Sequence, residues 1–242
     1  MIPKIIHYCW FGKGKMSELA LKCIESWKKH LPDYVIKEWN EDNFDLDAYP
    51  YAREAYDNRK FAFVTDIVRL HALYHEGGIY MDTDVEVLKP LDTFLKYDAV
   101  SGFESKTQIL TGLMACREGH SLFKELLNEY EGIHFKQPDG SLDFTTNVVR
   151  ITNTCLKYGL VPNNLFQTVN GFTLFPKEYF CPKSYDDGKI YLTENTVTIH
   201  HFAGSWLTPK QKITERAVRV IGNDNFAVIV RLKKKLFSFF GK

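Results

Sequence analysis

The chain has 242 residues and a net charge of +1, and 45% of its residues are hydrophobic. This composition suffices for one sizeable α/β domain with a buried core, and the lack of a basic excess argues against a nucleic-acid binder. No stretch approaches the roughly 18 apolar residues of a membrane span, and the N-terminus lacks a signal-peptide pattern, so we expect a cytoplasmic protein.

Strands and helices alternate along the chain. The apolar runs predict strands over 3–9, 34–39, 79–84, 98–103, 109–116 and 195–202. The helix-spaced apolar stripes and their caps predict helices over 18–30, 60–75, 121–130, 147–159 and from about 209. This alternation predicts a Rossmann-like sheet, whose ligand sites lie at the carboxyl ends of the strands. We expect a single domain over 1–230 and a separate tail over 231–242.

The stretch YHEGGIYMDTDVEVLKP ends an apolar run with two carboxylates, Asp82 and Asp84. In an extended strand, Tyr80, Asp82 and Asp84 point to one face and present two oxygen donors at the strand tip. A solvated turn is the alternative for an arbitrary Asp-x-Asp pair. A calcium loop does not fit, because Val87 and Thr93 stand where it needs Gly and Glu. The Gly-Gly break and the apolar strand before the pair favour a metal site.

The predicted helix over 60–75 is apolar on nearly all sides, which is typical of a buried helix. Asp66 and Arg69 lie three residues apart on this helix and have no water-facing side. One alternative is a structural ion pair, because buried charges are usually paired. The other is a polar pocket in which both side chains bind a ligand rich in hydroxyl groups.

The segment IHHFAGSW and the first strand complete the set of candidate residues. His200 and His201 point to opposite faces of a strand, so at most one reaches a given site, and a core histidine is the alternative. A nitrogen ligand beside two aspartates suits Mn²⁺ better than Ca²⁺. Ser205 and Trp206 add an oxygen and a lid. Trp10, at the end of the first strand, either stacks on a base or belongs to the core.

Three segments of the chain resemble glycosyltransferase family 32, whose sugar-binding region contains a DXD motif. They are IPKIIHYCWFG, FVTDIVRLHALYHEGGIYMDTD and HHFAGSW. The resemblance implies a GT-A fold, a nucleotide-sugar donor, a divalent metal (Mn²⁺ or Mg²⁺) and retention of the anomeric configuration. We expect a hexosyltransferase that moves galactose or glucose from a UDP-sugar to a glycan acceptor in cell-surface or capsular polysaccharide synthesis.

The resemblance also implies roles for the residues of the donor site. Trp10 would stack on the base. Asp66 and Arg69 would hold the donor sugar, and Tyr80 and Asp82 would hold the ribose and the sugar.

Further roles concern the metal and the diphosphate. Asp84 would ligate the metal, with the other aspartate of the DXD motif and either His200 or His201 beside it. Ser205 would lie near the diphosphate, and Trp206 is counted among the donor-binding residues.

The acceptor side is less well defined by the resemblance. Glu104 and Gln108, just after a strand end, are the candidates for a catalytic role, and no nucleophile is assigned. The segment FTTNVVRITN lacks the Gly-Pro that many relatives carry near the acceptor. Alternatives are a GDP-mannose-dependent mannosyltransferase, a sugar-nucleotide nucleotidyltransferase, or a non-catalytic carbohydrate-binding subunit.

The last twelve residues, RLKKKLFSFFGK, carry five basic side chains and no acidic one, which leaves the remainder of the chain acidic. Such a segment is either a solvated or docked end, or an interfacial anchor whose aromatic rings enter the headgroup region while lysines meet anionic lipid. We expect peripheral contact through 231–242 at the inner face of the cell membrane, with a lipid-linked glycan as acceptor. The five cysteines form no CxxC pair and are expected to be reduced thiols.

Overall fold

The computed structural model describes residues 1–184 and 187–204. The chain divides into two compact units, and the fold and the site belong to the first, Met1–Pro182 with Leu192–Phe202. Among the described residues the second unit comprises 183–184, 187–191 and 203–204. In it, Lys183 and Ile190 form an isolated antiparallel bridge. The predicted roles of Ser205, Trp206 and 231–242, and the helices expected from 209, lie outside the described residues.

The first unit is built from short strands and helices. The strands are β1 (Ile5–Cys9), β2 (Val35–Trp39), β3 (Gly78–Met81), β4 (Val85–Val87), β5 (Ala99–Gly102), β6 (Leu113–Cys116), β7 (Gln167–Val169), β8 (Phe172–Phe175) and β9 (Thr198–His200). The helices are α1 (Glu18–His30), α2 (Pro50–Asp57), α3 (Phe61–Glu76), α4 (Ser121–Asn128), α5 (Asn147–Lys157) and α6 (Lys177–Phe180). Within the described residues, every helix is too short or too polar to cross a membrane.

Seven of these strands form one mixed sheet in the order β2-β1-β3-β6-β5-β8-β7, and β4 pairs with β9 in a ribbon of two strands. The pairs β1–β2, β1–β3 and β5–β8 are parallel, whereas β6 runs antiparallel to both β3 and β5. The carboxyl ends of β1, β3 and β5 therefore meet at one edge of the sheet, where β6 begins. The predicted α/β fold, a Rossmann-like mixed sheet flanked by helices, is confirmed.

Two apolar cores lie on opposite faces of the sheet because strand side chains alternate. On β3, Tyr80 packs with the helices α2 to α5, whereas Ile79 and Met81 pack with α1 and β4. Trp27 of α1 is fully buried, and its indole N–H donates to Val85 O at 2.7 Å. This bond ties α1 to the start of β4. All five cysteines are buried and free, as expected for reduced thiols.

The Gly77-Gly78 pair ends α3 where the sequence predicts. Gly77 has a φ of 63° and its N–H donates to Leu73 O, and Gly78 has a φ of 97°. A Cβ on Gly78 would lie 2.6 Å from Ile5 O, so only glycine allows β3 to lie this close to β1. The helix is buried as predicted: Asp66 and Arg69 are 7% and 5% exposed.

The prediction of a continuous strand over 79–84 is wrong. β3 ends at Met81, and Val85 N donates to Asp82 O at 2.9 Å, which closes a turn. The turn directs β4 out of the main sheet to pair with β9. The predicted strand over 109–116 likewise begins only at Leu113. The helices α2 and α6 and the strands β4, β7 and β8 were not predicted.

Candidate functional site

The Asp82–Asp84 turn is fixed by backbone hydrogen bonds on two sides. Asp82 N donates to Gly112 O at 2.8 Å, which attaches the turn to the residues before β6. His201 N donates to Asp84 O at 3.0 Å, which attaches it to the end of β9. Both carboxylates therefore extend from a turn that these hydrogen bonds fix at the carboxyl edge of the sheet.

Asp82, Asp84 and His200 converge on one point. Each offers a ligand atom, and these atoms lie within 4.8 Å of one another. His200 is brought there by the β4–β9 ladder, in which it pairs with Val85. Its Nε2 lies 3.3 Å from Asp84 Oδ1 and 3.9 Å from Asp82 Oδ2.

The cluster fits a divalent cation. Two carboxylates and one imidazole are the donor types that Mn²⁺ accepts, and negative charges this close need a compensating positive charge. Burial lowers the pKa of His200, but the neighbouring Asp84 carboxylate outweighs it and raises that pKa well above its ordinary value. The ring is 8% exposed, and its Nδ1 has no hydrogen-bond partner among the described residues. A Cβ on Gly112 would lie 3.0 Å from Asp82 Oδ2 and from His200 Cε1, so glycine keeps this space open.

The two carboxylate oxygens of Asp82 have different surroundings. Oδ2 faces the imidazole of His200. Oδ1 accepts a hydrogen bond from the Tyr80 hydroxyl at 2.7 Å and lies 3.4 Å from the Arg69 guanidinium. The group Asp82, Asp84 and His200 is called the cation cluster below. Asp82 joins this cluster to the charged residues of α3. The Tyr80 hydroxyl, which the resemblance assigns to the ribose or the sugar, is engaged with Asp82 here.

Arg69 holds three parts of the site together. Its Nη1 donates to Thr111 O at 2.8 Å, and its Nη2 lies 3.3 Å from Asp66 Oδ1. Its guanidinium carbon lies 4.6 Å from the centroid of the Tyr80 ring, a cation–π contact. Burial lowers the pKa of Arg69, but Asp82 and Asp66 raise it above its ordinary value. The ion pair that the sequence left as one alternative is thus present.

The second carboxylate oxygen of Asp66 is held by a residue that sequence reasoning missed. Asn147, at the start of α5, donates its backbone N–H to Asp66 Oδ2 at 3.1 Å and its side-chain amide to Asp66 O at 2.7 Å. The Tyr130 hydroxyl donates to Asn147 Oδ1 at 2.8 Å. Burial raises the pKa of Asp66 to about 6, although Arg69 opposes this shift. The sequence signal for Asn147, a polar residue opening a helix, also fits an ordinary cap.

The structure also places the remaining predicted residues. Trp10 follows the carboxyl end of β1, is half-buried, and donates its indole N–H to Gly14 O at 2.6 Å. His201 directs its Nε2 to Glu86 Oε2 at 2.8 Å, so its ring is not brought to the aspartate cluster.

Glu104 and Gln108 face each other across a hairpin that follows β5. Glu104 N donates to Gln108 O at 2.9 Å. Burial raises the pKa of the Glu104 carboxyl to about 7, and the charges of His200 and Lys177 oppose this shift.

Comparison with known proteins identifies the region that contains these residues. The family model "Glycosyltransferase sugar-binding region containing DXD motif" matches residues 17–101. Inositol phosphoceramide mannosyltransferase 3 of Schizosaccharomyces pombe is 32% identical over 133 residues, which are 52% of this chain and 36% of that protein. The chain thus spans about a third of the length of this relative.

Two further proteins are similar over most of the chain. "Uncharacterized glycosyltransferase L373" of Acanthamoeba polyphaga mimivirus is 27% identical over 229 residues, which are 88% of this chain and 86% of that protein. A solved glycosyltransferase involved in the glycosylation of the major capsid of PBCV-1 has 14% identity and a TM-score of 0.47, covering 84% of this chain and 95% of its own.

The region matched by the family model contains residues of the candidate site. The match over 17–101 contains the buried pair of α3 and the DXD turn, and the turn lies at the carboxyl edge of the mixed sheet. The chain therefore contains a region that matches the glycosyltransferase sugar-binding region with a DXD motif, and this region carries the DXD turn and the buried pair of α3.

Proposed function

We propose that the protein is a retaining hexosyltransferase that uses a UDP-sugar, with galactose or glucose as the hexose, and Mn²⁺. The observation that supports this most directly is the convergence of Asp82, Asp84 and His200 beside the buried Asp66–Arg69 pair. A cation cluster next to a polar, hydrogen-bonding cluster matches the two ends of a nucleotide-sugar, the diphosphate and the hexose.

The residues divide between these two ends. Asp84 and His200 would hold the cation, with Asp82 Oδ2 completing the protein ligands. A bound divalent cation supplies charge neutralisation for the departing diphosphate, which is the main electrostatic demand of glycosyl transfer. Asp66 and Arg69 would hydrogen-bond the hexose when the donor displaces part of their present contacts.

The remaining donor contacts are proposed from the family resemblance. Trp10 stacks on the base, and Tyr80 and Asp82 contact the ribose and the sugar. Ser205 and Trp206 are proposed as donor-binding residues on the same ground. The exposed part of the Trp10 side chain at the carboxyl end of β1 is compatible with stacking.

A mannose donor is the second candidate. The relative from Schizosaccharomyces pombe is named as a mannosyltransferase, and it is 32% identical over the region that contains the DXD turn. A GDP-mannose donor would use the same cation cluster and the same Asp66–Arg69 pair. It would differ from UDP-glucose at the base and at the configuration of C2.

The acceptor is proposed to be a glycan or a lipid-linked glycan of the cell surface or capsule. The basic and aromatic segment 231–242 supports a location at the inner face of the membrane, because each lysine near an anionic surface contributes about 1 kcal/mol.

Thermal-shift measurements test the donor assignment. UDP-glucose, UDP-galactose and GDP-mannose are each added with Mn²⁺ or with EDTA, because a ligand that binds only the folded state raises the melting temperature. We expect one UDP-sugar to give the largest Mn²⁺-dependent increase, followed by slow release of UDP through hydrolysis. A larger increase with GDP-mannose would move the assignment to the second candidate.

The products separate the remaining enzyme classes. A nucleotidyltransferase would release UTP in the presence of pyrophosphate, and a non-catalytic binding subunit would release no nucleotide. Arg69→Ala, measured in the same assays, tests the pair on α3. As a sugar ligand its loss should spare UDP affinity but weaken discrimination among UDP-sugars, whereas a purely structural pair would cost several kcal/mol of stability.

A further inference from the structure

The end of β9 carries a second histidine that the cation assignment leaves unused. His201 follows His200 directly, and its imidazole Nε2 donates to Glu86 Oε2 at 2.8 Å. The side chains of His201 and Glu86 are only 15% and 16% exposed, so water competes little for this contact. A hydrogen bond to a carboxylate is stronger when it is shielded from water in this way. The contact therefore fixes the end of β9 more firmly than a surface pair would.

His201 contacts the β4 segment at two points. Its backbone N–H donates to Asp84 O at 3.0 Å, and its ring reaches Glu86, two residues further along the chain. Val85, which lies between these two contacts, is the ladder partner of His200. The two contacts therefore flank the position opposite His200 and fix the register of β9 at the residue that supplies the imidazole.

β4 is itself fixed to α1 by main-chain and side-chain contacts. Val87 N donates to Ser26 Oγ at 2.9 Å, and Lys22 Nζ lies 3.1 Å from Glu86 Oε1. The second oxygen of the Glu86 carboxylate is the one that accepts from His201. Two strands alone are only marginally stable, so β9 depends on its attachments to a β4 that α1 holds in place.

The His200 ring needs support from its neighbours in the chain. A histidine that binds a metal is usually oriented by a hydrogen bond from its second ring nitrogen, but Nδ1 of His200 has no such partner within the residues that the structure describes. At the start of β9, Thr198 Oγ1 donates to Phe180 O at 2.9 Å, two residues before His200. On the other side of His200, the attachment is made by His201.

Phe202 links His201 to the His200 ring a second time. It has a φ of 52°, a left-handed conformation that is uncommon for a residue other than glycine. Its ring centroid lies 4.3 Å from that of the His200 imidazole. Because His201 lies between these two residues in the chain, its bond to Glu86 limits the movement of both rings.

We propose that His201 and Glu86 form a positioning pair that holds the His200 imidazole and the Asp84 carboxylate at the spacing a divalent cation requires. This inference rests on the proposed function, in which both groups bind the cation. The His201 ring does not contact the cation, and acts through its two attachments to the β4 segment. Metal–ligand distances tolerate only about 0.2 Å, so a small displacement at the end of β9 is enough to weaken binding.

Calorimetric titration with Mn²⁺, alone and in the presence of UDP, tests the pair. His201→Leu removes the ring nitrogen that donates to Glu86 and keeps the backbone bond to Asp84. We expect its Mn²⁺ affinity to fall about tenfold or more, the usual effect of losing a hydrogen-bonding partner around the ligands. His201→Gln, whose amide can donate to the same carboxylate, should recover most of this loss.

Lys22→Gln is the matched control. It removes the ion pair at the other oxygen of Glu86, and its side chain is 65% exposed, so Mn²⁺ affinity should stay within about twofold of the wild type. Glu86→Leu breaks the contact from the other side, and it carries the same expectation if His201→Leu does not fold. The double variant should lose no more Mn²⁺ affinity than the weaker of the two single variants, because both remove one contact.

Melting curves of the metal-free variants separate positioning from a role in the fold alone. A lowered melting temperature with wild-type Mn²⁺ affinity in His201→Leu overturns the inference, as do additive losses in the double variant or no recovery in His201→Gln. These results leave the proposed function intact, since the wild type still binds the cation. If the wild type binds no Mn²⁺ either alone or with UDP, the cation assignment of the proposed function fails, and this inference fails with it.

Discussion

Gly112→Ala adds a single methyl group beside the cation cluster. The new Cβ would lie 3.0 Å from Asp82 Oδ2, 3.0 Å from His200 Cε1 and 3.2 Å from His200 Nδ1. Ordinary contacts of this kind begin near 3.4 Å, so the two side chains must move apart by about 0.4 Å. Metal–ligand distances tolerate about 0.2 Å. The displacement is about twice the tolerance, so we expect Mn²⁺ affinity to fall at least about tenfold, or 1.4 kcal/mol.

Calorimetric titration with Mn²⁺ measures this loss, and melting curves measure the cost to the fold. Overpacking of this size costs about 1–3 kcal/mol, so the variant should remain folded at 25 °C. Gly14→Ala is the matched control, because its Cβ would meet nothing within 4 Å. Wild-type Mn²⁺ affinity in Gly112→Ala would refute the assignment of the cluster as the cation site.

Three other substitutions test separate parts of the site. Asp84→Asn keeps the size of the side chain but removes the charge beside His200, so Mn²⁺-dependent UDP release should fall about 100-fold or more while the melting temperature changes little. Trp10→Ala should weaken the binding of free UDP by about 1–3 kcal/mol in calorimetry, and unfolding without a specific loss of affinity would instead indicate a core role. Asn147→Asp places a second carboxylate against Asp66, so its melting temperature should drop more at pH 8 than at pH 5, and equal drops would contradict a charge effect.

Local patterns predicted the segment that carries the charged pair. The apolar surface of residues 60–75 and the Gly-Gly pair after them predicted a buried helix, and α3 is found at Phe61–Glu76 with Asp66 and Arg69 buried. This succeeds because an apolar period and a glycine C-terminus are properties of consecutive residues.

The geometry of the aspartates was not predictable in the same way. Strand alternation was expected to align Asp82 and Asp84, but a turn directs them to His200, which lies more than a hundred positions later in the chain. Asn147 was missed for a related reason, since its contacts with Asp66 join residues 81 positions apart. Contacts between distant segments depend on the sheet order, and no local period encodes them.

The antiparallel direction of β6 determines which substitutions can reveal the site. Because β6 begins at the edge where its neighbours end, the residues before it present main-chain carbonyls to the site. Thr111 O accepts from the Arg69 guanidinium, and Gly112 O accepts from the backbone N–H of Asp82. An amino-acid exchange does not remove a main-chain carbonyl. Replacement of Thr111 by alanine would therefore keep the acceptor of the hydrogen bond from the Arg69 guanidinium. A search for the site by side-chain substitution would therefore pass over the main-chain support that residue 111 gives to Arg69.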